Sequence, residues 1–195
     1  MALTLNGSNN TIAGLAVGGL PDGIVDADMI ATDAVTAPKI GTKSYISCAF
    51  IGDKKAQNTA GGSSTASQHI QRDLNHEFYD PDGIVSISSN DFTIGSAGTY
   101  IIEWSAPVFA GNQNVSRLRN TAGTVVHEGT CEYSHSTGYA QIRSTGSVRL
   151  TQTGSETYRI MHRVANAQST NGYGVPSANH GNYDVYTWVK IYKEA

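Results

Sequence analysis

The stretch HEFYDPDGIVSISSNDFTIGSAGTYIIEWSAPVF, residues 76–109, decides how the rest of the chain is read. It holds a turn signal at Asp80-Pro81-Asp82-Gly83, an alternating run from Ile84 to Ser88, and a second turn at Ser89-Asn90-Asp91. A half-strand, Phe92-Thr93-Ile94, then meets a glycine break from Gly95 to Gly98, and a longer strand runs from Thr99 to Phe109. Two strands meeting at a glycine, with an aromatic just after it, read as one corner of an antiparallel β-sandwich.

Strand signals continue on both sides of this segment. Tyr45 to Ile51 alternates Ile46, Cys48 and Phe50 against Tyr45, Ser47 and Ala49, the period of a strand with one face inward. The polar stretch from Asp53 to Gln68 reads as a long loop, and loops of that length tend to be functional or mobile. Val115–Arg119 and Thr124–Glu128 flank Asn120-Thr121-Ala122-Gly123, a hairpin signal with Gly where positive φ is wanted. Tyr139–Arg143, Val148–Gln152 and Thr157–Val164 extend the pattern as a meander, and a second long loop covers Asn166 to Gly181. The last strand sets Tyr183, Val185, Thr187, Val189 and Ile191 on one face and Tyr186, Trp188 and Tyr192 on the other.

These residues resemble C1q/TNF-like jelly rolls. The resemblance rests on Tyr79-Asp80-Pro81, Phe92-Thr93-Ile94 and Gly98-Thr99-Tyr100 in that order, with Val148-Arg149-Leu150 and Glu156–Val164 as a penultimate hairpin and Tyr183–Tyr192 as the closing aromatic strand. It spans roughly residues 44–195 and departs from the family at Thr153-Gly154-Ser155-Glu156, where members tend to carry a Gly-Asp turn. It implies an all-β, antiparallel jelly-roll sandwich that assembles as a homotrimer around an axis lined by the aromatic strands.

At 195 residues the chain suits one domain of about 150 residues plus a short arm. Its 21 glycines, with many Ser, Thr and Asn, fit short strands joined by tight turns. A net charge of −3 from 15% charged residues offers no basic footprint for nucleic acid or an anionic membrane. No apolar run approaches the ~20 residues that span a bilayer. The amino terminus, MALTLNGSNN, lacks the charged and apolar regions of a secretory signal, so a soluble product made in a bacterial cytoplasm is expected.

Residues 1–43 differ in kind. They contain no aromatic residue and place Leu15, Leu20, Val25, Ile30, Val35 and Ile40 at a spacing of five, which neither a strand nor a helix keeps on one face. Such a row calls for cover from identical arms around a shared axis; the other readings are a partly disordered tail, or a short helix over Asp26 to Ala37 capped by Asp26 and ended by Pro38. The sequence from Asn10 to Gly23, then Val25-Asp26-Ala27-Asp28-Met29-Ile30 and Ala34-Val35-Thr36-Ala37-Pro38-Lys39-Ile40, resembles the amino-terminal arms of bacteriophage tail-fibre and related virion proteins. That resemblance implies an arm, 1–43, attaching to other virion proteins, and a knob, 44–195.

The expected self-contacts are Leu20, Val25, Ile30, Val35 and Ile40 in the arm and Tyr100, Trp104, Tyr186, Trp188 and Tyr192 in the knob, because a two-layer sandwich needs only one buried face per sheet. Candidate contacts to a host glycan or protein are Tyr133, His135 and Tyr139 in one loop and Tyr173, His180 and Tyr183 around another, where aromatic faces lie among small polar residues.

The six histidines show no metal-ligand spacing. Asp80, Asp82 and Asp91 could supply a calcium site but read more simply as turn caps. Cys48 and Cys131 read as buried free thiols. No Gly-x-Ser-x-Gly elbow is present, and of the carboxylates only Glu103, set in an apolar strand, stands out. No cofactor, metal or catalytic residue is assigned. The expectation is a non-enzymatic virion protein, a trimeric short tail fibre or spike; the alternatives are a capsid decoration trimer and a polysaccharide depolymerase.

Overall fold

The computed structural model describes residues 4–6, 11–13, 45–137 and 140–195, and the chain divides into two units, Met1–Lys43 and Ser44–Ala195. In the first unit, β1 (Thr4–Asn6) pairs antiparallel with β2 (Thr11–Ala13). Leu20, Val25, Ile30, Val35 and Ile40 and the helix considered over Asp26–Ala37 lie outside the described residues.

The second unit is a two-sheet sandwich. Its strands are β3 (Tyr45–Ala56), β4 (His69–Gln71), β5 (His76–Tyr79), β6 (Val85–Ser88), β7 (Asp91–Ile94), β8 (Gly98–Phe109) and β9 (Asn112–Asn120). They are followed by β10 (Val125–Ser134), β11 (Gln141–Gln152), β12 (Glu156–Val164) and β13 (Tyr183–Glu194). One sheet runs β10-β9-β12-β7-β6 with β4 added along β12; the other runs β11-β8-β13-β3-β5. Taking β3 and β7 to β13 as the main course of the chain, the first strand pairs with the last, the second with the seventh, the third with the sixth and the fourth with the fifth, all antiparallel. That nesting defines a jelly roll, so the antiparallel jelly-roll architecture expected from sequence is the one observed.

The corner read from Gly95 to Gly98 is real: β7 belongs to one sheet and β8 to the other. Gly98 takes φ +151 there, and the Tyr100 hydroxyl donates to the Ser96 carbonyl at 3.0 Å, tying strand to corner. The Asn120–Gly123 hairpin also forms, with Gly123 at φ +99 and its N–H donating to the Asn120 carbonyl at 3.1 Å.

The meander does not form. Residues 141–152 are one strand, β11, which pairs with β8 in one sheet, while β12 pairs with β7 and β9 in the other. The expected penultimate hairpin is therefore a crossing between sheets, and Gly154 lies in the crossing. Strands β4 and β5 were not singled out as strands from the sequence, and β3 runs on to Ala56, past the expected loop start at Asp53.

Between the sheets, Phe92, Ile94, Leu118, Tyr158 and Ile160 from one face Ile51, Tyr100, Ile102, Trp104, Val189 and Ile191 from the other. Tyr100 and Trp104 were expected at a trimer axis. The structure corrects this: every second residue of β8 from Tyr100 to Val108 is buried inside the protomer, and the Trp104 indole N–H donates to the buried Ser116 hydroxyl at 2.8 Å.

Candidate functional site

Strand polarity gathers the loops 57–68 and 165–182, and residues 135–137, at one end of the sandwich, opposite the end where β3 begins at Tyr45. The two long loops are not free. The Gly61 N–H donates to the Gly174 carbonyl (2.9 Å), Gly62 to Thr170 (3.0 Å), Ser64 to Gln168 (2.8 Å) and Tyr173 to Gly62 (2.9 Å), a ladder that closes that end.

Under this ladder sits Arg72, fully buried. Its Nε donates to Thr187 Oγ1 at 2.8 Å and Nη2 to the Tyr173 carbonyl at 2.9 Å, while its guanidinium carbon lies 4.0 Å from the centre of the Tyr173 ring. Burial pulls its pKa down to about 10. His162, also buried, stacks on the same tyrosine: its centroid is 5.9 Å from that of Tyr173, and its Nε2 lies 3.0 Å from Asn114 Oδ1. Burial, with help from the Arg72 charge, holds the His162 pKa well below its ordinary value. Tyr173 is thus not an outward contact residue. It is buried against the Arg72 guanidinium and the His162 imidazole, with its backbone in the ladder that joins the loops.

Tyr186 is corrected in the same way. A register shift between Val185 and Trp188 inserts an extra residue into β13, which turns Tyr186 inward; its hydroxyl donates to the Thr59 carbonyl at 2.7 Å. Tyr183 is 46% exposed with Lys54 Nζ 4.5 Å from its ring centre, and His180 is exposed. Tyr139 lies outside the described residues.

Tyr133 is 55% exposed at the end of β10, opposite Gln113 of β9, with the His135 ring edge-on at 6.3 Å. The Thr137 N–H donates to His135 Nδ1 at 3.1 Å, which orients that imidazole. Beside Tyr133 opens a concavity of about 580 Å³, with Gln113 and Val115 from β9, Cys131 and Tyr133 from β10, and Arg163 from β12 in its lining. Of this group only Tyr133 was expected from sequence as a contact residue. Cys131 is exposed and Cys48 half-buried, both as free thiols, so the expectation that they are buried fails while their unpaired state holds.

A second concavity, about 490 Å³, is lined by Glu103, His127, Glu128, Gly146 and Trp188 among others. It brings Glu103 and Glu128 to one cleft, but Glu128 is held by Arg117 Nη2 at 3.0 Å, and Glu103 stands opposite Lys190 in the β8–β13 register. Asp80 serves its turn: its carboxylate accepts the N–H groups of Ile84 (3.0 Å) and Val85 (2.9 Å). No group of His, Cys, Asp and Glu suited to a metal occurs among the described residues.

The outer face of the β11-β8-β13-β3-β5 sheet carries the remaining aromatics. Phe50 stacks on Phe78 at 4.8 Å and meets Trp188 edge-on at 6.3 Å; Lys190 Nζ lies 5.3 Å from the Trp188 ring centre and 5.8 Å from that of Phe50. Tyr45 and Tyr192 lie 5.0 Å apart on the same strand pair. Trp188 and Tyr192 are half-buried here, alternating with the buried Val189 and Ile191.

No protein-family model matches the sequence, and no curated protein matches it either. Among solved structures, the chain is similar to the globular domain of zebrafish complement 1qA (13% identity, 74% of this chain and 94% of that one, TM-score 0.48). It is similar also to murine APRIL (8% identity, 75% and 98%, TM-score 0.47) and to the Eiger TNF of S. frugiperda (11% identity, 78% and 94%, TM-score 0.48).

Proposed function

We propose that the protein is a non-enzymatic structural component of a bacteriophage virion: a homotrimeric short tail fibre or spike. Residues 1–43 attach it to other virion proteins, and the jelly-roll knob, 44–195, meets a glycan or protein on the host surface. The observation that carries the self-assembly is the aromatic face built by Phe50, Phe78, Trp188 and Tyr192 on a sheet whose other side already fills the core. Covering a few hundred Å² of such surface is worth several kcal/mol per subunit at ~25 cal/mol/Å², before the cost of association.

Closed cyclic symmetry gives each copy the same contact and gives the arm's apolar row identical neighbours. The virion assignment is supported by the likeness of residues 10–40 to tail-fibre arms. Function by contact alone is supported at the loop end, where the conspicuous buried polar groups, Arg72, His162 and Tyr173, hold loops rather than face solvent. Three copies on one axis convert individually weak surface contacts into tight attachment through effective concentration.

Electron microscopy of the particle with antibody against residues 44–195 tests the placement. Label at the tail supports the fibre, label over the head makes the protein a decoration trimer, and an unlabelled particle overturns the virion role.

A further inference from the structure

The concavity beside Tyr133 has three walls from three strands, and its chemistry is uneven in an informative way. Of the arginines, Arg117, Arg149 and Arg159 each hold a carboxylate, from Glu128, Glu194 and Asp91 at 3.0, 2.6 and 2.7 Å. Arg72 and Arg143 bond to carbonyls and hydroxyls, and Arg119 Nε donates to the Gly123 carbonyl. The Arg163 guanidinium alone has no hydrogen bond or ion pair among the described residues, and Arg163 stands at the wall of this concavity. Across Val115 from it stands Cys131 of β10, with the exposed Tyr133 ring two residues further along the same face of that strand.

We infer that this trough binds an acidic saccharide, a sugar ring bearing a carboxylate, with Arg163 taking the carboxylate, Tyr133 lying against the ring, and Gln113 meeting a hydroxyl. A guanidinium is a planar fork that matches a carboxylate in two parallel hydrogen bonds. Arg163 is the one cationic residue in the lining, a charge that one carboxylate matches and a doubly charged phosphate exceeds. His69, opposite Arg163 in the β4–β12 register, is kept neutral by burial and by the charges of Arg117 and Arg163, so it adds no second cation at neutral pH. The exposed aromatic supplies contact area at low entropy cost, and a volume of about 580 Å³ is in the range of ligand sites.

The inference deepens the host-surface reading above and rests on it for its setting. The full chain is titrated calorimetrically with a glucuronate-containing oligosaccharide and with the neutral glucose oligomer of the same length. Alkylation of Cys131 by iodoacetamide is followed in parallel, with Cys48 as internal control. The acidic oligomer binds, the neutral one binds more weakly, and the acidic ligand slows alkylation of Cys131 but not of Cys48. Arg163→Gln, an exposed change that leaves the fold intact, weakens acidic binding about tenfold and leaves neutral binding unchanged; Tyr133→Ala weakens both. Absence of binding by either oligomer, equal binding of both, or an Arg163→Gln titration identical to the parent overturns the inference. A trimer that binds neither sugar overturns only this inference; a monomer that binds the acidic oligomer upholds it and overturns the self-assembly instead.

Discussion

Replacing Gly146 with alanine should unfold this sandwich at markedly lower denaturant, although alanine ordinarily suits a strand better than glycine. Gly146 pairs directly with Trp104 across β11 and β8, and the indole lies over the bare glycine backbone. A Cβ at position 146 would fall 2.5 Å from Trp104 Cε2 and closer still to Cζ2 and Cη2. Carbon atoms prefer separations of about 3.5–4.0 Å, so the ring must retreat by about 1 Å or more. It cannot do so freely, because its Nε1 donates to Ser116 Oγ at 2.8 Å, and that hydroxyl lies 2.8 Å from Ser144 Oγ, which donates to the Thr130 carbonyl at 2.7 Å.

Overpacking of a core costs about 1–3 kcal/mol, the Ser116 hydrogen bond adds about 1 kcal/mol, and the gain from replacing glycine returns about 0.5–1 kcal/mol. The net is a loss of about 2 kcal/mol, or a melting temperature lower by about 4–8 °C for a chain of this size. Urea unfolding followed by tryptophan fluorescence, at a fixed protomer concentration, measures it. Adding Trp104→Phe, which removes the outer ring of the indole, should recover about 1 kcal/mol relative to the sum of the single changes. A Gly146→Ala protein as stable as the parent, or more stable, refutes the packing argument.

Lowering the pH should weaken the fold through His162. Its folded pKa lies below its ordinary 6.5, so its contribution is complete above that value and is lost as pH falls from 6.5 toward the folded pKa; His162→Gln should flatten the dependence of the urea midpoint between about pH 7 and pH 5. Tyr186→Phe leaves the Thr59 carbonyl without its 2.7 Å donor, so the fold should lose about 1 kcal/mol and hydrogen exchange should quicken in residues 57–64. Asp80→Ala removes the acceptor for two N–H groups and should cost about 1–2 kcal/mol, whereas exchanging chelator for about 1 mM calcium should leave the parent's melting temperature unchanged.

The corner at Gly95–Gly98 and the turn at Asn120–Gly123 were legible because turn chemistry is local: a glycine at positive φ has few substitutes. Sheet membership was not. β11 and β12 look like neighbours because consecutive strands usually pair, and only the long-range register places them on opposite sheets. On β8, apolar residues at both parities hid which face was inward, so Tyr100 and Trp104 were read the wrong way round. At Tyr186 a single inserted residue reversed the alternation, and nothing in the local pattern announces it. Gly146 read as the gap between two short strands, when its role is to make room for an indole. The trough beside Tyr133 draws Gln113 and Arg163 from strands far apart in the sequence, and only the partnering of the other arginines marks Arg163 as different.

Self-association through the Phe50–Trp188 face is what joins the fold to the proposed role. Sedimentation velocity of the full-length chain at micromolar concentration measures it directly. A species of three protomer masses, reduced to one by Trp188→Glu with the β-sheet spectrum intact, is predicted; a well-folded monomer from the unmodified chain contradicts it.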